Sequence, residues 1–369
     1  MPASSNDFEW LTLRQLKGVA SATPEPWCIR VQIENLSVRE ASNGKPYYEL
    51  KLNDGTESLV WRVFDSSQAY LEVTTCKRGG WIEVAAHWAD GKFGLEPRNA
   101  SLRPLAENEI QMLLAGDDET RDRQKLDYET ITNLTSQLAD PRLRMLCGMF
   151  LQQHGTRFQR AAAARDYHHA RRGGLVEHVA QMMRTAVQIC VAYPALNRDL
   201  LVSGVLFHDC GKLWENNYSE DGFTMPYTLT GEMIGHIAMG LEVVNKLWRT
   251  VMDSPESASW TLLEPPNELV RLHLLHLIGS HHGEMQFGSP VLPKTPEAIA
   301  LHYIDNLDAK MEMFRRGYET SAELADGIYE RVRPLPANLI RPLASVPPPV
   351  PAASSVKEEN EEGDSTIAR

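Results

Sequence analysis

Eleven of the 12 histidines in this chain of 369 residues fall between His154 and His302, and several sit inside strongly apolar stretches. A buried imidazole without a partner is costly, so a fold for this region must gather those rings around something that satisfies them. The segments LVEHVAQMMRTAVQICVAY, RDLLVSGVLFHDCG, GEMIGHIAMGLEVVNKLWR, NELVRLHLLHLIGSHHG and TPEAIALHYIDNLDAKMEMFRR repeat apolar residues at three- and four-residue intervals. That period predicts amphipathic helices, and His and Asp alternate across separate members of the set. The constraint is a helical bundle with a polar centre.

FHDCGK is the most specific piece. His208 and Asp209 are adjacent and follow the apolar run LLVSGVLF. Neighbours on a helix stand about 100° apart, so both side chains can reach one ion from the helix end. Gly211 is expected to let the backbone turn away, with Lys212 projecting near the same point. Imidazole plus carboxylate suits Zn, Mn, Fe or Co rather than a thiolate-preferring metal, and a bridging carboxylate such as Asp209 holds two such ions about 3.5–4 Å apart. Lys212 is placed either to hold a phosphate oxygen or to pair with a carboxylate behind the site. Cys210 lacks the setting of a catalytic thiol. The five cysteines are scattered with no CxxC pair, which argues against a disulfide framework or a cysteine zinc site.

The order His178, His208 with Asp209, His236, His281 with His282, and Asp305 resembles that of the HD-domain hydrolases. The resemblance implies a two-metal site. His178, His208, Asp209 and Asp305 would hold one ion, and Asp209, His236, His281 and, as a further candidate, His282 the other. It also implies hydrolysis by two-metal activation of water, with Asp209 and Lys212 at the reacting centre. Mn is the first choice of divalent ion, with Fe, Co, Ni, Zn or Mg as alternatives.

The chain before this region reads differently. From about Leu11 to Leu105, WCIRVQIENLSVRE, PYYELKLND, SLVWRVFD, WIEVAAHWAD and FGLEP are short segments rich in β-branched and aromatic residues, separated by glycine-bearing turns. Five strands in so short a span suit a small closed barrel of the OB type, with a small β-sandwich as the structural alternative. If Tyr48, Leu50 and Leu52 face its core, Tyr47 and Lys51 face outward, where an OB barrel stacks single-stranded bases. The expected organisation is multidomain, β then α. It consists of an OB-fold nucleic-acid-binding domain at 1–105, a helical connector at 106–160 that packs onto the next unit, an all-α HD domain at 161–333 and a disordered, Pro-rich acidic tail at 334–369.

The net charge of -12 at first opposes a nucleic-acid partner, but the charge is uneven. The tail concentrates glutamates, whereas Arg157, Arg160, Arg165, Arg171 and Arg172 precede His178 and are candidates to line a strand's path to the metals. The roles of His168 and His169 stay open. The N-terminus lacks the basic-then-apolar pattern of a signal peptide, and charge breaks every apolar run short of a membrane span. A cytoplasmic location without membrane contact is expected, and a homo-oligomer stays open.

ASNGKPYYELKL, AAAARDYHHARRGGLVEH, YPALNRDLLVSGVLFHDCGKLWE, YTLTGEMIGHI and SHHGEMQFGSPVLPKTPEAIALHYIDNLDAKM together make the chain similar to the YhaM-type 3′-to-5′ exoribonucleases. Three stretches depart from that pattern: Trp214-Glu215-Asn216-Asn217, an expanded loop from Val251 to Asn267, and the acidic, proline-rich tail. The resemblance implies hydrolysis of single-stranded nucleic acid from the 3′ end, RNA before DNA. Two alternatives stand beside it: a phosphohydrolase of free or cyclic nucleotides, and a non-catalytic single-strand-binding adaptor.

Overall fold

The computed structural model describes residues 8–91, 94–164, 169–223 and 225–345. Arg165, His168 and the acidic tail from 346 onward lie outside the described residues.

The N-terminal part is a sheet of β1 (Glu9–Trp10), β2 (Glu25–Glu40), β3 (Pro46–Asn53), β4 (Ser58–Phe64), β5 (Trp81–Gly91) and β6 (Gly94–Pro104), with short helices α1 (Leu13–Val19) and α2 (Tyr70–Val73). The long strands run antiparallel in the order β4-β3-β2-β5-β6, and β1 pairs with β2. Period-2 burial explains the register: Leu59, Trp61 and Val63 point inward with Leu50, Leu52 and Trp88, while Tyr47 and Lys51 fall on the other face. The turn after β3 is fixed by Asp54. Its Oδ1 accepts from the amides of Thr56 (2.9 Å) and Glu57 (3.0 Å), and its Oδ2 accepts from Leu13 of α1 at 2.6 Å.

No ladder joins β4 to β6 among the described residues, so the expected closed barrel is not formed by hydrogen bonds. Instead Trp61 and Phe64 of β4 and Leu95 and Pro97 of β6 line a cavity of about 600 Å³. Pro97 has no N–H to give a closing partner.

The helical part comprises α3 (Glu107–Ala115), α4 (Asp118–Ser136), α5 (Pro141–Phe158), α6 (Gly174–Ala192), α7 (Arg198–Phe207), α8 (Lys212–Glu215), α9 (Leu229–Met252), α10 (Asn267–Ser280) and α11 (Pro296–Thr320). α5 starts as its sequence predicts. Asp140 caps the amides of Arg142 (2.9 Å) and Leu143 (3.3 Å), and Pro141 occupies the first turn. The connector is part of the bundle's own core, since Ile131, Leu143 and Phe150 join Phe207 in one buried cluster. No helix among the described residues is long and apolar enough to cross a membrane.

Arg142 is buried inside this bundle. It pairs with Asp140 at 2.7 Å and donates to the Pro265 carbonyl at 2.6 Å and to Asn267 Oδ1 at 3.0 Å. Removing one partner of such a pair leaves the other charge unpaired and costs about 3–5 kcal/mol. Arg142→Ala is therefore expected to lower the unfolding free energy in urea by that amount.

Beyond α11 the expected helix and disordered tail give way to a small antiparallel sheet of β7 (Glu323–Ala325), β8 (Ile328–Tyr329) and β9 (Leu339–Ile340). This segment has a plain anchor: Leu335 and Leu339 are buried against Met313 of α11. The Pro-rich composition hides these two apolar anchors.

Sheet and bundle meet along the segment after α8. The Phe223 N–H donates to Gln32 Oε1 at 2.8 Å, Trp81 Nε1 donates to the Asp221 carbonyl at 3.3 Å, and the rings of Trp81 and Phe223 meet edge-on at 5.3 Å. A Cβ on Gly55 would stand 2.8 Å from the Phe223 ring, so the turn must be glycine for the two parts to close.

Candidate metal centre

Every candidate ligand comes from a helix end or a helix face that points to one spot. His178 is in the first turns of α6, His208 and Asp209 follow α7, and His281 and His282 follow α10. Asp305 lies on α11, and His236 follows a break in α9 where Gly235 takes φ 76° and ψ 160°. That conformation is open to glycine alone at little cost. The break exposes the His236 amide, which donates to Glu215 Oε1 at 3.3 Å.

The distances define two adjoining sets. His178 Nε2 stands 3.3 Å from His208 Nε2 and 3.4 Å from Asp305 Oδ1. Asp209 Oδ2 is 3.2 Å from His208 Nε2, while its Oδ1 is 3.5 Å from His236 Nε2 and 3.7 Å from His281 Nε2. One carboxylate thus turns an oxygen to each set. The ligand-capable atoms of His236, His281 and His282 lie within 4.8 Å of one another, as do those of His178, His208 and Asp209. All seven residues expected as ligands are brought together.

The other ring nitrogens fix the tautomers. Nδ1 of His208 faces the Val205 carbonyl at 2.8 Å, that of His281 the Ile278 carbonyl at 2.8 Å, and that of His282 the Phe287 carbonyl at 2.7 Å. Nδ1 of His236 faces Glu215 at 3.2 Å and that of His178 faces Asp308 at 2.7 Å. A carbonyl or carboxylate accepts from N–H, so each Nε2 presents a lone pair to the centre. Asp209 Oδ1, His236 Nε2 and His281 Nε2 are buried without any hydrogen-bond partner. Buried polar atoms are almost always paired, and these three aim at one point. A divalent cation is the group that satisfies them together.

The electrostatics agree. Burial opposes the charge on Asp209, but the Lys212 ammonium and the neighbouring His208 outweigh it and hold the carboxyl well below its usual range. Burial and the adjacent His208 hold His281 well below the usual imidazole range, which keeps it neutral as a ligand must be. His178 differs: burial would depress it, yet hydrogen bonds to Asp305 and Asp308 push it up to about 9, so an ion taken at its Nε2 would have to displace a proton.

Three expectations need correction. Gly211 precedes α8 with φ -64° and ψ -22°, angles that any residue adopts, so the backbone does not need glycine there in order to turn. A Cβ there would lie 1.9 Å from the His236 carbonyl oxygen and 2.7 Å from the Gly240 nitrogen, so glycine lets α8 seat against α9. Lys212 does not face open space for a phosphate. It pairs with Asp209 Oδ2 at 2.7 Å and donates to the Ala163 carbonyl, so the carboxylate it serves is Asp209. Arg171 is held inward by Glu177 and by Glu312 at 3.1 Å, which withdraws it from any strand.

Arg157, Arg160 and Arg172 stay together beside α8. Burial and the charge of Arg160 depress both Arg157 and Arg172, and Arg157 lies 5.7 Å above the Trp214 ring. Among the described residues, Arg160 pairs with the exposed Glu220 at 2.9 Å, and the buried Nε atoms of Arg157 and Arg160 have no hydrogen-bond partner there. On the sheet, Tyr47 stacks on Phe64 at 5.0 Å and Lys51 pairs with Glu34 at 2.8 Å.

Two residues of the centre escape sequence reasoning. Asp308 follows Asp305 by one turn of α11, a spacing that could have signalled it. Glu215 sits in the stretch read as local variation, and nothing in its spacing predicts contact with His236. Glu215→Ala removes the acceptor for the His236 N–H. It is expected to weaken binding of the ion facing His236 by about 10–100-fold, read by calorimetric Mn(II) titration.

Residues 175–310 match the HD domain family. The 3′-5′ exoribonuclease YhaM of Bacillus pumilus (strain SAFR-032) is 36% identical over 285 residues, covering 76% of this chain and 83% of that protein. The protein of the same name from Bacillus subtilis (strain 168) is 34% identical over 286 residues, with the same coverage of both. The chain belongs to the YhaM family. Membership carries a divalent metal requirement through the HD domain, and the converging His and Asp atoms fit such an ion.

Proposed function

We propose that this YhaM-family chain is a metal-dependent 3′-to-5′ exonuclease that hydrolyses the phosphodiester bonds of single-stranded RNA, using two divalent ions with Mn as first choice. The observation that carries the reading is the convergence of Asp209 Oδ1, His236 Nε2 and His281 Nε2, buried and unpaired, beside the second set of His178, His208 and Asp305. Ions held there would acidify water and offset charge on the phosphoryl oxygens. The protein's share is to hold each Nε2 by its Nδ1 partner and to keep Asp209 anionic through Lys212.

The substrate reading rests on what surrounds the centre and on the relatives' activity. Arg157, Arg160 and Arg172 form a cationic group with two unsatisfied Nε–H donors, suited to backbone phosphates. Lys51, Phe223, Met225 and Tyr227 line a cavity of about 310 Å³ between sheet and bundle, a route from one part to the other. We read the sheet at 1–105 as an OB-type module open between β4 and β6, with Tyr47 on its outer face, followed by a connector at 106–160 and the HD unit from 161.

The test is direct. With Mn(II), 5′-labelled single-stranded RNA should shorten stepwise from the 3′ end. Cleavage confined to free nucleotides would refute the reading, and tight RNA binding without cleavage would point to an adaptor.

A further inference from the structure

His169 lies behind the metal centre and outside the set that faces it. Its backbone is in the left-handed region, φ 45°, which side chains with a Cβ rarely adopt. Persistence of such a conformation means that the surroundings demand it. They do so visibly: a Cβ at Gly174 would lie 2.0 Å from the His169 carbonyl oxygen, so glycine at 174 is what admits this residue.

The ring so placed is buried between two carboxylates. Nδ1 is 3.4 Å from Glu177 Oε2, and Nε2 is 3.1 Å from Asp308 Oδ2. The same Asp308 oxygen accepts from Nδ1 of His178 at 2.7 Å. Glu177 is itself anchored by Arg171 and by Gln124 of α4 at 2.8 Å. A line of contacts therefore runs from α4 through Glu177, His169 and Asp308 to His178, whose Nε2 meets Asp305 one turn earlier on α11.

We propose that His169 is a positioning residue for the metal centre: wedged between Glu177 and Asp308, it fixes the carboxylate that turns Nε2 of His178 toward the ion. The proposal rests on the reading of His178 as a ligand. Without the His169 ring, Asp308 keeps one of its two imidazole donors and is free to rotate. His178 then loses the constraint on both its tautomer and its angle. The second ion, whose ligands are oriented by Glu215, Ile278 and Phe287, does not depend on this line.

The experiment is calorimetric Mn(II) titration of the full chain carrying His169→Ala or His169→Gln, with His178→Ala and Glu215→Ala as references. His169→Ala should weaken by about tenfold the binding event that His178→Ala abolishes, and leave the event weakened by Glu215→Ala unchanged. His169→Gln, which retains one N–H donor, should recover part of the loss and carries the comparison if the alanine variant does not fold. Added to Asp308→Asn, His169→Ala should bring little further change. Unaltered affinity in both variants would overturn the proposal, as would equal weakening of both events, the mark of a merely structural role. If His178→Ala leaves both events intact, the ligand reading itself fails, and the positioning role with it.

Discussion

Asp209→Ala is expected to reduce RNA hydrolysis by at least about 10³-fold, beyond the loss from removing a single stabilising donor. The reason is geometric. Asp209 is in contact with both ligand sets: its Oδ2 is 3.2 Å from His208 Nε2, and its Oδ1 is 3.5 Å from His236 Nε2. The substitution also strips Lys212 of its 2.7 Å partner, leaving an ammonium among groups that must gather cations. Asp209→Asn keeps the shape but not the charge and should be nearly as damaging. The measurement is single-turnover cleavage of labelled RNA at saturating Mn(II), together with Mn(II) stoichiometry. Activity within tenfold of the parent would remove Asp209 from its assigned place.

Gly211→Ala should also lower activity, by a smaller factor and without touching a ligand. Gly211 precedes α8 with backbone angles that alanine also adopts, so local conformation alone does not forbid the substitution. Packing does forbid it, because the new Cβ would stand 1.9 Å from the His236 carbonyl oxygen. That neighbour is backbone and cannot rotate away, so α8 and α9 must part. Overpacking of this kind costs about 1–3 kcal/mol. A shift of about 1 Å in a reacting group can cost on the order of 100-fold in rate. Thermal melting and turnover should therefore both fall, and a variant with an unchanged or raised melting temperature would refute the packing argument.

These two positions also mark what a sequence can reveal. Asp209 was legible because its ligand chemistry is written locally: an apolar helix, then His-Asp, with histidines at the ends of neighbouring helices. Gly211 was legible as necessary but not for its reason, since a glycine after a helix looks the same whether it bends the chain or admits a neighbour. Glu215 and Asp308 belong to the tertiary level. Glu215 meets His236 from 21 positions away and Asp308 meets His178 from 130, separations with no periodic signature. The strands of the N-terminal part followed from alternation and turn chemistry, whereas the gap between β4 and β6 is lined by side chains from both strands, Pro97 among them, which no local pattern announces. Arg171 was grouped with its neighbours by composition, and only the positions of Glu177 and Glu312 separate it from Arg157 and Arg160.

The segment from Glu215 to Phe223 makes the two halves poor candidates for exchange. At one end it orients His236; at the other it is clasped by Gln32, Trp81 and the turn at Gly55. A chimera that swapped in a foreign sheet at residue 105 would keep the metal ligands but lose the surface against which this segment is set. The natural seam of the molecule is therefore not the point where strands give way to helices. A working graft would have to carry Gln32, Gly55 and Trp81 across with the bundle, as parts of the catalytic half that happen to be folded in the other.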